Sequence, residues 1–212
     1  SVFDHHRIVP RSVLFVGFNP AILESKAAQI FVADLSPAAD AWLKQQGAKY
    51  TLISSDDFGN YQKSFDAVVA VEELFTFADD ETTQKSQFDQ ICNIARKIVI
   101  TTLRDYKNQD FRDREFSQPL AVHAHSDTKI FLEYHDHDYN DKNSWSTAVY
   151  EMSGVDTSAY GPFARRSMYF KQLAKFSMDA GASNFLVHKN LMYKSLIKKN
   201  YEHVISIRFE QN

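Results

Sequence analysis

The stretch Val13-Leu14-Phe15-Val16-Gly17 decides the fold, and Gln29-Ile30-Phe31-Val32-Ala33-Asp34 repeats its pattern. Each stretch is a short apolar run that stops at a glycine or an acidic residue, which is typical of a strand buried on both faces. A helix start follows the second run, because Ser36 suits the N-cap and Pro37 the first helical position. Gly47 then stands where a helix ends. The pattern predicts strands and helices in alternation.

Three more apolar runs continue this alternation and predict strands at Tyr50 to Ile53, Phe65 to Val71 and Lys97 to Thr101. Between the last two, a helix from about Asp80 to Ala95 places apolar residues at i, i+3, i+4 and i+7. Successive strand–helix–strand units make a parallel sheet with helices on both faces. The sequence therefore predicts the α/β class, with a Rossmann-like, doubly wound and mostly parallel sheet.

The second half of the chain has a different pattern. Lys129 to His137 and Ser146 to Met152 predict two antiparallel strands, so we expect an inserted β-hairpin region at about residues 120–152. A long helix is expected from about Pro162 to Ala180. With no linker or repeat in sight, we expect one domain over residues 1–212.

Two final apolar runs, Phe185 to His188 and Val204 to Arg208, predict strands that close the fold. A lysine-rich segment from His188 to Lys199 connects them. It could contact nucleic-acid phosphates, or it could be a solvated helix face.

Composition narrows the function classes. Hydrophobic residues make up 44% of the chain and charged residues 24%, which excludes intrinsic disorder and collagen-like repeats. A net charge of -3 disfavours a protein that grips nucleic acid with its whole surface. One cysteine, Cys92, rules out an internal disulfide. We expect no spanning helix, no signal peptide in Ser1 to Arg7, no membrane partner and a cytoplasmic location.

Asp34 is the first candidate binding residue. Ligands of an open parallel sheet bind beyond the carboxyl ends of its strands, and Asp34 follows the second strand, 17 residues past Gly17. A carboxylate at that place accepts hydrogen bonds from both ribose hydroxyls of a nucleoside. The alternative is that Asp34 caps a turn together with Ser36.

The loop after the third strand offers a second set of candidates. Asp56 or Asp57 would accept a hydrogen bond from an adenine amino group, and Phe58 would supply an apolar wall beside it. The alternative is a solvated turn built by the two aspartates. No serine-nucleophile elbow and no phosphate-binding glycine loop is present, which argues against hydrolase and nucleoside-triphosphatase chemistry.

These motifs resemble the class I S-adenosylmethionine-dependent methyltransferases over roughly residues 10 to 105. The matching stretches are, in chain order, Val13 to Gly17 with Asp34, Ser55 to Phe58, Phe65 to Val69, Glu72 to Phe75, and Lys97 to Ile100. The resemblance implies methyl transfer with S-adenosylmethionine as the cofactor, and a final pair of antiparallel strands, here Phe185 to His188 and Val204 to Arg208. One motif departs from the family: the loop Gly17-Phe18-Asn19-Pro20 has one glycine where the family has a glycine-rich cradle.

The resemblance also implies roles for single residues. The cofactor-binding residues would be Gly17, Phe18 and Asn19 beside the methionine tail, Asp34 at the ribose, Asp56, Asp57 and Phe58 at the adenine, and Glu72. The acceptor would lie near Glu72, Arg104, Tyr106 and the hairpin from Tyr134 to Trp145, and the first three are the candidate catalytic residues. A small-molecule acceptor is favoured, while protein and nucleic acid stay open, as does the oligomeric state.

Two other hypotheses compete with methyl transfer. The altered glycine loop would also suit a methyltransferase-like fold that has lost catalysis and serves as a binding or assembly subunit. Glu133, His135 and His137 would share one face of a strand and could ligate a metal, although the same residues are typical of a solvated strand end. The sequence therefore predicts no metal site.

Overall fold

The computed structural model describes residues 2–70, 74–104, 114–116, 120–124, 127–137, 143–194 and 201–210. The helices are α1 (Val2–His6), α2 (Pro37–Gln45), α3 (Glu81–Ile94) and α4 (Phe170–Asp179). The strands are β1 (Ser12–Val16), β2 (Gln29–Ala33), β3 (Thr51–Ile53), β4 (Phe65–Ala70), β5 (Ala95–Arg104), β6 (Arg114–Phe116), β7 (Leu120–Ala124), β8 (Asp127–His137), β9 (Ser144–Ser153), β10 (Asp156–Arg166), β11 (Asn184–Lys194) and β12 (Tyr201–Arg208). No helix in these ranges has the length and apolarity needed to cross a membrane.

The main sheet of the described residues has seven strands in the order β11-β12-β5-β4-β1-β2-β3. Strands β1 to β5 run parallel, and β12 is antiparallel to both β5 and β11. The predicted α/β class, the mostly parallel sheet and the antiparallel final strand are confirmed. Because β2 and β4 pair with opposite sides of β1, the strand order reverses between β1 and β4, and ligands of such sheets bind at that point.

Helices cover both faces of the sheet, and β1 shows why. Its buried side chains alternate: Leu14 and Val16 join the core on the α3 and α4 side, whereas Val13 and Phe15 join the core under α1 and α2. A period of two places successive residues on opposite faces, so a continuous apolar run fills both cores.

The predicted helix signals are also found in place. Ser36 caps α2, its Oγ accepting the backbone N–H of Ala39 at 3.3 Å, and Pro37 is the first helical residue. Gly47 adopts the left-handed conformation, with φ +81°, just past the end of α2. Asp80 caps α3 through the N–H of Thr83 at 2.7 Å.

A second sheet is inserted between β5 and α4, and it is larger than the predicted hairpin. It has five described strands in the order β10-β9-β8-β6, with β7 paired to β8. The prediction of a helix from Pro162 was wrong, since α4 begins at Phe170 and Pro162 lies in β10. The pairing of β10 with β9 shifts register between Tyr160 and Phe163, and a proline is tolerated in such an irregular edge strand because it need not donate a ladder hydrogen bond.

The side chain of Ser206 in β12 ties α1 and β11 together. Its Oγ lies 2.7 Å from Nε2 of both His6 and His188. Burial, with the neighbouring histidines, lowers the pKa of His6 and of His188, so both rings are neutral at pH 7. This contact links the first helix to the far edge of the sheet.

Cys92 provides a direct test of the core beneath α3. Its side chain is 1% exposed, and burial raises its pKa to about 12. Because the thiolate is the reactive form, we expect no reaction of native protein with Ellman's reagent at pH 8. One equivalent should react in urea, and rapid labelling of the native protein would contradict this packing.

Candidate functional site

The carboxyl ends of β1 and β2 lie side by side, and β1 borders the point where the strand order reverses, between β1 and β4. Val16 pairs with Ala33, and just beyond this pair the N–H of Gly17 donates to the carbonyl oxygen of Ala33 at 2.9 Å. Gly17 has φ +82°, and no atom lies within 4 Å of the position that a Cβ there would take. The backbone of Gly17 therefore faces open space beside Asp34, where a ligand can approach closely.

Asp34 is exposed and is held by the loop that follows β3. Ser55 Oγ donates to Asp34 Oδ1 at 2.7 Å, and among the described residues none donates to the second carboxylate oxygen. Asp34 has φ +55°, a conformation that aspartate and asparagine adopt more readily than most residues. Ser36 caps α2 by itself, so the fold leaves Asp34 oriented by Ser55 and accessible to a ligand.

The loop after β1 is organised by Asn19. Its Oδ1 accepts the N–H of Ala21 at 2.9 Å, and its carbonyl oxygen accepts the N–H of Ile22 at 3.1 Å. Phe18 is 44% exposed, and its ring packs edge-on against Trp42 with 5.6 Å between the centroids. The loop thus presents the exposed ring of Phe18 beside that of Trp42 in α2.

The loop after β3 is a short 3-10 turn over Ser55–Asn60. Ser54 caps it by accepting the N–H of Asp56 at 3.2 Å, which leaves the Asp56 and Asp57 side chains exposed. Phe58 is 6% exposed and packs in the core beneath the loop. The adenine roles of the two aspartates stay predictions, and so does that of Phe58, whose ring would have to turn outward to form an apolar wall.

The acceptor side of the site is described only in part. Glu72 and Tyr106 lie outside the described residues, and Arg104 is described by its backbone, which pairs with Glu202 at the end of β5. These three assignments stay predictions. The segment that follows Glu72 is described from Leu74 onward and forms a 3-10 turn to Thr76.

Arg165 fastens the inserted sheet to that turn. One guanidinium nitrogen donates to Thr76 Oγ1 at 3.1 Å, and the guanidinium carbon lies 3.3 Å from the centroid of the Phe77 ring. Arg165 is 8% exposed, so both contacts are shielded from water. The insert is therefore fixed directly beside the segment that follows β4.

Gln84 makes a second attachment. Its side chain is fully buried, and Nε2 donates to the carbonyl oxygens of Arg166 and Ser167 at 2.9 and 3.3 Å. Its Oε1 accepts from Gln172 Nε2 at 3.1 Å. One amide thus joins α3, the end of the insert and α4.

The histidine hairpin gives no support for a metal site. His135 Nε2 lies 3.5 Å from Glu133 Oε2, and its Nδ1 lies 3.0 Å from Thr147 Oγ1. The side chain of His137 is not described. Within the described part of the chain, no three histidine, cysteine or acidic side chains are grouped as a metal would require.

Sequence reasoning missed Ser55, Gln84 and Arg165. No local pattern signals Ser55, because its contact with Asp34 depends on the β2–β3 register that brings the residues after Ile53 beside Asp34. The contacts of Gln84 and Arg165 join residues more than 80 positions apart in the chain, and no local pattern signals them.

No protein-family model and no curated protein matches the sequence. Among solved structures, the chain is similar to the CcbJ methyltransferase from Streptomyces caelestis, with TM-score 0.66, 14% identity and coverage of 99% of this chain and 93% of that one. It is also similar to an S-adenosylmethionine-dependent methyltransferase from Clostridium acetobutylicum, with TM-score 0.67, 12% identity and coverage of 99% and 88%.

A third similar structure is CalS10 with bound S-adenosylmethionine, an amino pentose methyltransferase from Micromonospora echinaspora, with TM-score 0.63, 10% identity and coverage of 98% and 87%. Each similarity spans nearly the whole chain, the inserted sheet included. The chain has the fold of the class I S-adenosylmethionine-dependent methyltransferases.

Proposed function

We propose that the protein transfers the methyl group of S-adenosylmethionine to a small-molecule acceptor. The observation that carries this proposal is the placement of Gly17 and Asp34 side by side at the carboxyl edge of the sheet, next to the point between β1 and β4 where the strand order reverses. In this sheet order, that point is where a nucleotide-like ligand binds.

The nucleoside end of the cofactor fits these residues best. Asp34 is exposed, and Ser55 holds one of its carboxylate oxygens, so the carboxylate is oriented before a ribose arrives. The open space above Gly17 gives the ligand room to approach the backbone. A carboxylate that is already oriented loses less side-chain entropy on binding than a mobile one.

The methionine end has fewer partners in the loop after β1. Pro20 has no N–H, and the N–H of Ala21 already donates to Asn19. The exposed rings of Phe18 and Trp42 offer apolar contact in place of backbone hydrogen bonds. We therefore propose that most of the binding energy comes from the nucleoside end.

When bound, S-adenosylmethionine supplies an electrophilic methyl group on a sulfonium. Transfer requires an acceptor lone pair in line with the breaking sulfur–carbon bond, so the main task of the protein is alignment. Arg165 holds the insert against the turn that ends at Thr76, and Gln84 holds it against α3. Glu72, which precedes this turn in the chain, stays a candidate residue. Similarity to an amino pentose methyltransferase supports an amine of a small, sugar-like molecule as the acceptor.

Calorimetric titration with S-adenosylmethionine and S-adenosylhomocysteine tests the proposal. We expect one site per chain with a micromolar Kd for each ligand, because both carry the same adenosine. Methionine alone, which lacks the nucleoside, is the control and should bind far more weakly. If a folded sample binds neither adenosyl ligand, the methyl-transfer proposal fails and the binding-subunit hypothesis replaces it.

A further inference from the structure

A second concave site lies where the N-terminal ends of α3 and α4 meet the end of the inserted sheet. It is a cleft of about 390 Å³, a volume in the range of small-molecule sites. Its lining includes Glu81, Arg166, Ser167, Tyr169, Lys171 and Lys175.

The topology places this cleft at the same edge of the sheet as Asp34. Helix α3 follows β4 and leads back to the start of β5, which is parallel to β4, so α3 begins at the carboxyl edge. Strand β11 is antiparallel to β12, which is antiparallel to β5, so α4 also begins at that edge before it leads into β11. Both helices therefore start on the side where the acceptor of a methyl group would approach.

The cleft is predominantly basic. Arg166, Lys171 and Lys175 line it, against one acidic residue, Glu81. Lys171 and Lys175 are one helical turn apart on α4, and the described residues contain no ion pair for either. By contrast, Lys44 and Lys85 each pair with an aspartate four residues away.

The N-terminus of α4 adds partial positive charge to the cleft. Tyr169 is its N-cap residue but makes no side-chain capping bond, and its hydroxyl donates to Asn143 Oδ1 at 2.7 Å. The N–H groups of the first helical turn then lack a capping side chain, and such groups attract anions.

The buried hydroxyl of Ser167 independently supports a polar ligand in the cleft. It is 1% exposed and lies on the cleft wall, and its Oγ has no hydrogen-bond partner. Its backbone is fully engaged, since the N–H donates to Asn143 and the carbonyl oxygen accepts from Gln84. A buried hydroxyl without a partner is unfavourable, and a ligand oxygen would satisfy it.

We propose that this cleft binds an oxyanion, a phosphate or a carboxylate, carried by the methyl acceptor. The assignment to the acceptor rests on the proposed function, whereas binding of the oxyanion itself does not. Lys171 and Lys175 supply the charge, the first turn of α4 supplies N–H donors, and Ser167 supplies a hydroxyl.

Calorimetric titration with inorganic pyrophosphate and, separately, with citrate tests the proposal on wild type and on a Lys171→Gln/Lys175→Gln double variant. We expect wild type to bind at least one probe, with affinity that falls as salt rises, and the double variant to bind it at least about tenfold more weakly. Tighter binding of pyrophosphate indicates a phosphate source, and tighter binding of citrate a carboxylate source.

Two further variants keep the test decisive. Lys44→Gln, on α2, removes an exposed lysine outside the cleft and should leave probe binding unchanged, while Ser167→Ala should weaken it with the fold intact by circular dichroism. The proposal is overturned if wild type binds neither probe, or if the double variant binds as well as wild type. The double variant should bind S-adenosylmethionine as tightly as wild type does. If wild type binds an oxyanion probe but not S-adenosylmethionine, only the methyl-transfer proposal fails.

Discussion

Asp34→Ala is expected to abolish measurable binding of S-adenosylmethionine. A hydrogen bond to a charged group contributes about 1.5–3 kcal/mol, and a ribose offers two hydroxyls to this carboxylate. Loss of both bonds, about 4 kcal/mol, corresponds to a weakening of about 1000-fold, which moves a micromolar Kd to about a millimolar one, beyond the usual range of calorimetry. S-adenosylhomocysteine should lose affinity to the same extent, because the change affects the shared adenosine.

The backbone conformation of Asp34 determines the choice of controls. At φ +55°, alanine is less favourable than aspartate, so Asp34→Ala also carries a small folding cost. Asp34→Asn tolerates this conformation and keeps the shape, but it removes the charge, so it should still bind much more weakly than wild type. Asp156→Ala, at an exposed position of β10, is the matched control and should bind normally. If Asp34→Asn binds S-adenosylmethionine as tightly as wild type, the Asp34 carboxylate is not part of the binding site.

Asp66→Ala is expected to lower the free energy of unfolding by about 2–4 kcal/mol. Asp66 is 2% exposed and accepts the N–H of Arg11 at 2.8 Å. Its other carboxylate oxygen lies 3.1 Å from Lys97 Nζ and 3.4 Å from an Arg96 guanidinium nitrogen. The substitution leaves the N–H of Arg11 without this partner and removes the anion between two cations.

The pH dependence of this effect has a definite sign. Burial by itself raises the pKa of Asp66, but the Arg11 N–H, Lys97 and Arg96 outweigh it and hold the pKa below its usual value of 3.8. A carboxyl whose pKa is lower in the folded state stabilises the protein above its unfolded pKa, and this contribution is lost as the pH falls through the folded pKa. The stability difference between wild type and Asp66→Asn should therefore be constant from pH 7 to 5 and shrink below about pH 4.

Urea unfolding of both proteins at pH 7, 5 and 3 measures this difference. Asp89→Asn serves as the control, because Asp89 pairs with Lys85 at an exposed position and should affect stability little at any of these pH values. A gap that widens at pH 3, or an Asp66→Asn variant as stable as wild type, would refute the ionised network around Asp66.

The sequence was sufficient to predict the parallel half of the fold. Each of the strands β1 to β5 contains a short apolar run. The helix signals at Ser36, Pro37 and Gly47 are local, so they can be recognised without knowledge of tertiary contacts. The position of Asp34 followed from the end of β2 alone. These features depend on residues close together in the chain.

The features that sequence reasoning missed depend on pairing between distant segments. The sequence predicts a helix from about Pro162, whereas residues 162–166 lie in β10, for which β9 provides a partner. The burial of Phe58 depends on how the turn after β3 packs on the core, and its role beside an adenine stays a prediction. Ser55 acquires its role from the register between β2 and β3, which no local pattern fixes.

The position of β12 between β5 and β11 bears on how the protein is made. Among the described strands, β11 pairs with β12 and with no other, although it comes first in the chain. During synthesis β11 therefore leaves the ribosome before its partner exists, while β5 presents an unpaired edge that can associate with other chains. Strands β1 to β5 can assemble as the chain emerges, but the sheet is complete only after residue 208 is released, so the interval of greatest aggregation risk lies between the release of β5 and the release of β12.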